Sequence, residues 1–315
     1  MKLSLIVPCF NEEENIKLFY DEVKKYFKHH IHQYEIIFIN DGSQDKTYNE
    51  LKRLYQKHSK EMTIIQFSRN FGKEAAILAG LRKSSGEYVT IIDADLQQSP
   101  RYVVEMVNFL EQHKEYDSVA AYQKSREERK IIIFFKNLFY KLMNKITEIE
   151  IYQSASDFRT FRRNVVETIE QLPERCRFSK GIFAWVGFNT YFMPYDVEQR
   201  VNGESKWSLM KLWTYALDGI AAFSTTPLIL SSIIGIIITI LAFMFMIYVA
   251  IETVVWKEKA TGYSILITVI LLLSGIQLFS IGILGHYLAK NYTESKQRPI
   301  YVVKECVDRK KEYDE

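Results

Sequence analysis

The chain has 315 residues, one large domain or two ordinary ones. With 25% charged and 48% hydrophobic residues it is neither disordered nor collagen-like, and a net charge of +3 is too balanced to make nucleic acid a partner. Cys9, Cys176 and Cys306 form no CxxC pair, which excludes a disulfide framework and a Cys-rich zinc site and points to a reducing compartment.

The elements alternate from the start. Leu3–Cys9 (LSLIVPC) is a short apolar run, the pattern of a buried strand. Residues 12–29 place Ile16, Phe19, Val23, Tyr26 and Phe27 at helical spacing. Residues 35–40 (EIIFIN) read as a second buried strand that ends in the turn Asp41-Gly42-Ser43. A helix over 46–58, a strand over 63–67, a helix over 73–83, a strand over 88–92, a helix over 101–113 and a strand over 118–122 follow. This alternation predicts an α/β domain of βαβ units with a mostly parallel sheet, and a ligand site at the carboxyl ends of its strands. Polar clusters stand at those ends: Asn11-Glu12, Asp41-Gly42-Ser43 and Asp93-Ala94-Asp95.

Farther along, residues 130–146 place Ile131, Phe134, Phe135, Leu138, Phe139, Leu142 and Ile146 on one broad face, with Lys136, Lys141 and Lys145 elsewhere. Residues 206–223 repeat the pattern with Trp207, Met210, Trp213, Leu217, Ile220 and Phe223. Basic amphipathic helices rich in aromatics lie in the headgroup plane of a membrane. Two uncharged runs come next, 24 residues over 228–251 and 30 over 260–289. Each exceeds the ~20 helical residues that span a hydrocarbon core. Joined by a short connector, they predict a transmembrane hairpin with both chain ends on one side. The tail carries seven Lys and Arg from Lys290 onward against two lysines in the connector, so that side is the cytoplasm, and the start Met1-Lys2-Leu3 reads as free of a secretory signal. The expected organisation is a cytoplasmic domain over 1–205, an interfacial helix over 206–225, spans over 228–251 and 261–288, and a basic tail over 290–315.

Chemistry concentrates at Asp93 and Asp95. Two carboxylates one residue apart at the end of a buried strand can share a hard divalent cation, Mg²⁺ or Mn²⁺, whose shell is completed by diphosphate oxygens. A lone DxD is a weak signal, but the competing motifs are missing: no GxGxxG follows the first strand and no GxxxxGK[ST] occurs. The six histidines show no metal-ligand spacing.

IVPCFNEEENI (6–16), INDGSQDKT (39–47), SRNFGKEAA (68–76) and DADLQ (93–97) resemble the family 2 glycosyltransferases of GT-A fold. SDFRTFRR (156–163), ERCRFSKGIFAWVGF (174–188) and NGESKWS (202–208) are similar to the membrane-bound polyprenyl-phosphate branch, the relatives of dolichyl-phosphate mannose synthase and the bactoprenol glucosyltransferases. The resemblance implies transfer of one sugar, glucose or N-acetylglucosamine, from a UDP-sugar to undecaprenyl phosphate at the membrane, with inversion and with Mg²⁺ or Mn²⁺. It implies that Pro8, Phe10, Glu12, Asp41 and Lys73 line the nucleotide-sugar pocket, and that Asp93, Asp95 and Gln97 meet the metal. Arg159, Arg175, Arg177, Lys180 and Lys206 would hold the acceptor phosphate. Lys124 or Arg126 would stand in for an arginine that relatives carry after the fifth strand. A homo-oligomer and a downstream flippase are the further partners it implies.

Plainer roles compete at several of these positions. Glu12 can be a helix N-terminal charge, Asp41 a turn residue, and the Arg175 cluster a solvated face. Two other functions also compete. A processive polysaccharide synthase would carry QxxRW, which is absent, and a non-catalytic scaffold with a degenerate transferase domain would not need Asp93, Asp95 and Gln97 intact.

Overall fold

The structure, a computed structural model, describes residues 2–123, 152, 155–198, 220–256 and 262–309. Its strands are β1 (Leu3–Cys9), β2 (Tyr34–Asn40), β3 (Met62–Phe67), β4 (Tyr88–Ile91), β5 (Ser118–Gln123), β6 (Ala155–Arg162), β7 (Thr190–Tyr195) and β8 (Val303–Val307). Its helices are α1 (Ile16–Phe27), α2 (Thr47–His58), α3 (Lys73–Lys83), α4 (Arg101–Gln112), α5 (Arg163–Gln171), α6 (Ser179–Trp185), α7 (Thr226–Trp256) and α8 (Tyr263–Ser295). The strands form one sheet in the order β7-β5-β6-β4-β1-β2-β3-β8.

The central strands read as continuous apolar runs because both faces of the sheet are covered. One face packs Leu3, Leu5, Val7, Phe38 and Ile64 against Phe19, Val23, Leu51 and Met106 from α1, α2 and α4. The other packs Ile6, Ile37 and Ile39 against Ala75, Ala76 and Ala79 of α3, Val165 and Ile169 of α5, and Ile182 of α6. The small residues of α3 let it lie close to β1: a Cβ on Gly80 would run into the Ile6 side chain. That fit fixes where the first turn of α3 points.

β4, β1, β2 and β3 are parallel, as the alternation predicts. β5 departs from it. Rather than joining β4, it pairs with β6, which is inserted antiparallel between them. Arg159 is the fifth residue of β6.

The segment after α8, expected only as a basic tail, folds back as β8 along the edge of β3. Tyr301 stacks on Phe67 with ring centroids 5.0 Å apart, and Arg309 pairs with buried Glu35 at 3.1 Å. Glu35 also accepts from the Ser4 hydroxyl at 2.6 Å and the Ser85 N–H at 2.8 Å. Arg309→Ala leaves that carboxylate buried without its cation. It should cost about 1–3 kcal/mol, read as a lower urea midpoint; an unchanged midpoint would show that the latch contributes nothing.

α7 and α8 are long and apolar enough to cross a membrane, over Thr226–Phe245 and Leu272–Ser295. α8, over Tyr263–Ser295, overlaps the expected span 261–288. Ile236, Phe243, Leu278 and Phe279 are all more than half exposed, and a soluble protein rarely leaves so much contiguous apolar surface uncovered. The Tyr287 hydroxyl donates to the Ser224 carbonyl at 2.5 Å, tying α8 to the entry of α7. The expected interfacial helix over 130–146, and residues 206–219 of the second, lie outside the described residues.

Candidate active site

β1 and β4 run side by side, with Ile6 opposite Ile91, so the segments that leave them meet at one edge of the sheet. Each contains a left-handed residue, Asn11 at φ 54° and Leu96 at φ 60°. A buried leucine in that conformation is strained, and such strain persists where a site requires a particular backbone path. Here the turn lets the Gln97 N–H donate to Asp95 Oδ1 at 3.2 Å. It also brings the Gln98 side chain around Asp93. Gln98 Oε1 accepts from the Asp93 N–H at 3.1 Å, and its amide nitrogen donates to Asp93 Oδ2 at 3.3 Å. Gln97, expected as a further metal ligand, is engaged through its backbone, its carbonyl accepting from the Glu198 N–H at 3.2 Å. Gln98 is the neighbour that sequence reasoning missed.

The register of β6 brings in a second acid. Arg159 lies opposite Ile91 in an antiparallel pair. Asp157, two residues before Arg159, is therefore level with Asp93, two residues beyond Ile91. Lys73, at the start of α3, bridges them, 2.6 Å from Asp93 Oδ1 and 3.3 Å from Asp157 Oδ2. Burial pushes the Lys73 ammonium down, but the two carboxylates outweigh it and hold the group above its usual range. Burial likewise pushes Asp157 up, and Lys73, Lys180 and Arg159 reverse that, leaving it below the usual carboxylate range. Asp157 Oδ1 is buried with no hydrogen-bond partner among the described residues. The DFR triplet marked this place in the sequence, yet only its arginine was drawn into the site.

Arg159 itself is 6% exposed. Its Nε donates to the Ser156 carbonyl at 3.2 Å and its guanidinium lies 5.0 Å over the Phe183 ring. Burial lowers its pKa to about 10, with Asp157 opposing, so it stays protonated at neutral pH.

On the nucleotide side, Pro8 belongs to β1, opposite Ile39, and Phe10 follows the strand directly. Glu12 accepts from the Asn15 amide at 2.7 Å, while its N–H donates to the Thr47 hydroxyl at 2.8 Å. Burial first, then the carboxylates of Glu12 and Asp93, push the Cys9 thiol up, which places both acids around the end of β1. Asp41 holds the backbone of the loop before α3. Its two oxygens accept the N–H groups of Phe71 at 2.7 Å and Gly72 at 2.9 Å. The turn needs glycine beside it, because Gly42 has φ 66° and a Cβ there would strike the Arg69 backbone. Asp41 thus anchors the loop that delivers Lys73.

On the other side of Arg159 lies a cavity of about 360 Å³. Arg159 and Lys180 line it, with Tyr152, Phe183, Phe188 and Phe192 among its walls. Two of the expected cations do not reach it. Arg175 Nε donates to the Arg298 carbonyl at 2.9 Å. Arg177 donates to the carbonyls of Leu172 at 3.2 Å and Ile169 at 3.4 Å, satisfying the end of α5. Lys124, Arg126 and Lys206 lie outside the described residues.

Against known proteins, the profile of Glycosyl transferase family 2 matches residues 4–170. The chain belongs to that family. An uncharacterized glycosyltransferase of Synechocystis is 41% identical over 304 residues, 96% of this chain and 95% of its own. The bactoprenol glucosyl transferase of Shigella phage SfV is 40% identical over 305 residues, 96% of this chain and 98% of its own. Among solved structures, glucosyl-3-phosphoglycerate synthase from Mycobacterium tuberculosis, in complex with Mn²⁺, UDP and phosphoglyceric acid, is 17% identical with a TM-score of 0.50. That match covers 70% of this chain and 76% of the other, and it identifies the GT-A-like fold.

In this glycosyltransferase no group of three or more His, Cys, Asp or Glu among the described residues could hold a metal alone. Asp93 and Asp95 fit a hard cation only as a two-carboxylate platform that a ligand's oxygens complete. The Lys73 ammonium on Asp93 Oδ1 shows that this carboxylate already holds positive charge.

Beside Lys73, Glu74 turns the opposite way and accepts from the Ser179 N–H at 2.9 Å and from the Ser179 hydroxyl. Burial and then Asp157 raise its pKa from 4.5 to about 7, against the Ser179 bonds. A carboxyl raised in the folded state takes up a proton on folding, so its stabilising contribution fades as pH rises from 4.5 to about 7 and is flat above. Glu74→Gln keeps the acceptor oxygen without the titration. Its Tm advantage over the wild type should grow across that window and level off beyond it; a constant difference would remove Glu74 from the titration.

Proposed function

We propose that the protein transfers one sugar from a UDP-sugar to undecaprenyl phosphate at the cytoplasmic membrane face, with inversion at the sugar. Glucose and N-acetylglucosamine are the leading donor sugars. The observation that carries this reading is the place of Arg159. It stands between the Asp93–Lys73–Asp157 cluster and a cavity that combines two cations with aromatic walls. Such a cavity suits a phosphate attached to an unsaturated hydrocarbon. The phage relative named a bactoprenol glucosyl transferase, alike over nearly the whole chain, supports the same acceptor.

Asp93 and Asp95 would hold Mg²⁺ or Mn²⁺ together with the donor diphosphate, and the bound ion supplies charge neutralisation for the departing UDP. A polyprenyl phosphate is already anionic, so the attacking oxygen needs no strong general base. It needs cations to hold it in line with the anomeric carbon. Arg159 offers a planar fork and Lys180 a mobile point charge. Asp157 keeps Lys73 and Arg159 charged in a buried setting, so two anions can meet there with compensation.

The membrane hairpin suits an acceptor whose tail stays in the bilayer. β8 follows α8 and joins the sheet that begins with β1. The two ends of the hairpin therefore lie on the same side of any membrane it crosses. The lysines and arginines of the tail favour the cytoplasm for that side. The product then carries its sugar on the inner leaflet, and a flippase is the class of protein that would take it outward.

The test is incubation of the purified protein in liposomes with undecaprenyl phosphate and a panel of nucleotide sugars, read by mass spectrometry. One hexose or N-acetylhexosamine added from its UDP donor is the expected product. A ladder of sugars on one lipid would indicate a processive synthase instead, and no lipid product from any donor would end the acceptor assignment.

A further inference from the structure

α8 ends next to the loop that leads into Lys180. Glu294 sits in its last turn, where an acid opposes the helix dipole, so helix stability does not account for it. Its carboxylate instead reaches the loop between α5 and α6. Oε1 accepts from the Cys176 N–H at 2.7 Å and from the Arg175 N–H at 2.9 Å, and Oε2 from the same Arg175 N–H at 3.1 Å. Arg175 returns the contact, donating from Nε to the Arg298 carbonyl just beyond the helix. Three residues after Cys176, Ser179 opens α6 and is held from the opposite direction by Glu74, the neighbour of Lys73. Lys180 then lines the cavity. At the next position, Gly181 leaves room for Phe223, just before α7: a Cβ on Gly181 would collide with that ring. The Phe223 ring also packs on Phe178, with centroids 6.1 Å apart.

We infer that Glu294 is a positioning residue for the acceptor: by holding the backbone of Arg175 and Cys176 to the end of α8, it sets the place of Lys180 relative to the membrane hairpin. The inference rests on the acceptor reading proposed above. The loop from 172 to 178 has no helix or strand of its own to hold it. Glu294 and Phe223 hold it from the membrane side and Glu74 from the donor side. A lipid phosphate arrives at a depth fixed by the bilayer. The cation that meets it must be referenced to the spanning helices, and Glu294 makes that reference through main-chain donors, which depend on position and not on side-chain identity.

Full-length Glu294→Ala and Glu294→Gln in liposomes test this, with undecaprenyl phosphate varied and the donor that the wild type uses held saturating. Glu294→Ala should raise the acceptor KM about tenfold with kcat changed less than about twofold. The affinity for UDP with Mn²⁺, by calorimetry, should stay unchanged. Glu294→Gln keeps a carbonyl oxygen able to accept both N–H groups and should restore most of the acceptor KM. An unchanged KM in Glu294→Ala, or a parallel fall in kcat and UDP affinity, would overturn the positioning role. Amide exchange over residues 172–180 reads the tether without activity. It should quicken about tenfold or more in Glu294→Ala and little in Glu294→Gln. If the wild type makes no lipid product, the acceptor reading fails by itself. The exchange result still decides the tether, and unchanged protection in Glu294→Ala would overturn it.

Discussion

Asp95→Asn should abolish transfer, by about 10³-fold or more in kcat, while the protein stays folded and membrane-bound. A loss of that size corresponds to about 4 kcal/mol of transition-state stabilisation, within what a bound divalent ion supplies. The substitution is mild for the fold. Asp95 Oδ1 accepts from the Gln97 N–H, and an asparagine oxygen can do the same, so the strained turn at Leu96 keeps its closing bond. What goes is the second negative charge of the platform. Asp93→Asn differs in one respect, because Asp93 is also the nearer partner of Lys73. Losing its charge leaves the ammonium with Asp157 alone and should let it move toward β6. Asp93→Asn is therefore expected to weaken UDP binding in Mn²⁺ and also to lower the Tm by loosening Lys73, whereas Asp95→Asn should do only the first. Calorimetry with UDP at fixed Mn²⁺ reads the first effect and the melting temperature reads the second. Near wild-type turnover of Asp95→Asn in saturating metal would remove the metal assignment.

The parts of this site that were legible in the sequence are those fixed by local pattern. Strand ends announce themselves as apolar runs that stop at polar residues. Asn11-Glu12, Asp41 and Asp93 therefore read as carboxyl-end residues, and that is where they lie. α3 was legible over Lys73–Lys83 to the residue, because a helix of Ala, Leu and Ile between two charged ends has few alternatives. What stayed hidden depends on pairing between distant strands. No local signal says that β6 enters antiparallel between β4 and β5, yet that register alone brings Asp157 level with Asp93 and makes Lys73 a bridge. Likewise β8 reads as a charged tail, because VKECV sets Lys304 beside Glu305, and the strand lies at the sheet edge with all but Val307 exposed. Arg177 is a residue whose neighbours in the fold were not legible in the sequence. A cation in a family segment invites a phosphate role, but six residues upstream the chain has left α5 at Gln171, and the terminal carbonyls of that helix need donors. Asp41 reads both as a nucleotide-pocket residue and as a turn residue. Its two short bonds to Phe71 and Gly72 favour the turn, and through it the loop carrying Lys73.

Arg159→Ala should lower kcat/KM for polyprenyl phosphate by about 10²-fold, mostly through the acceptor, with UDP affinity in Mn²⁺ changed by less than about threefold. The guanidinium is buried, stacked over Phe183 and hydrogen-bonded through Nε to Ser156. Its remaining nitrogens can grip two phosphate oxygens with little rotamer freedom left to lose. Arg159→Lys keeps the charge but loses the fork and the stacking plane, so an intermediate loss of about tenfold is expected. The substitution also acts on Asp157, whose low pKa depends on Lys73, Lys180 and Arg159. A depressed carboxyl contributes stability at neutral pH that is lost as pH falls through its folded value. Removing one of its three cations moves that loss to higher pH, so the acid limb of the Arg159→Ala stability profile should begin earlier than in the wild type. Initial rates against acceptor concentration in detergent, calorimetry with UDP, and Tm across acid pH give three independent readings. If Arg159→Ala lost UDP binding and kept its acceptor dependence, the residue would serve the donor diphosphate. The cavity between Arg159 and Lys180 would then no longer be the place where the lipid phosphate meets the sugar.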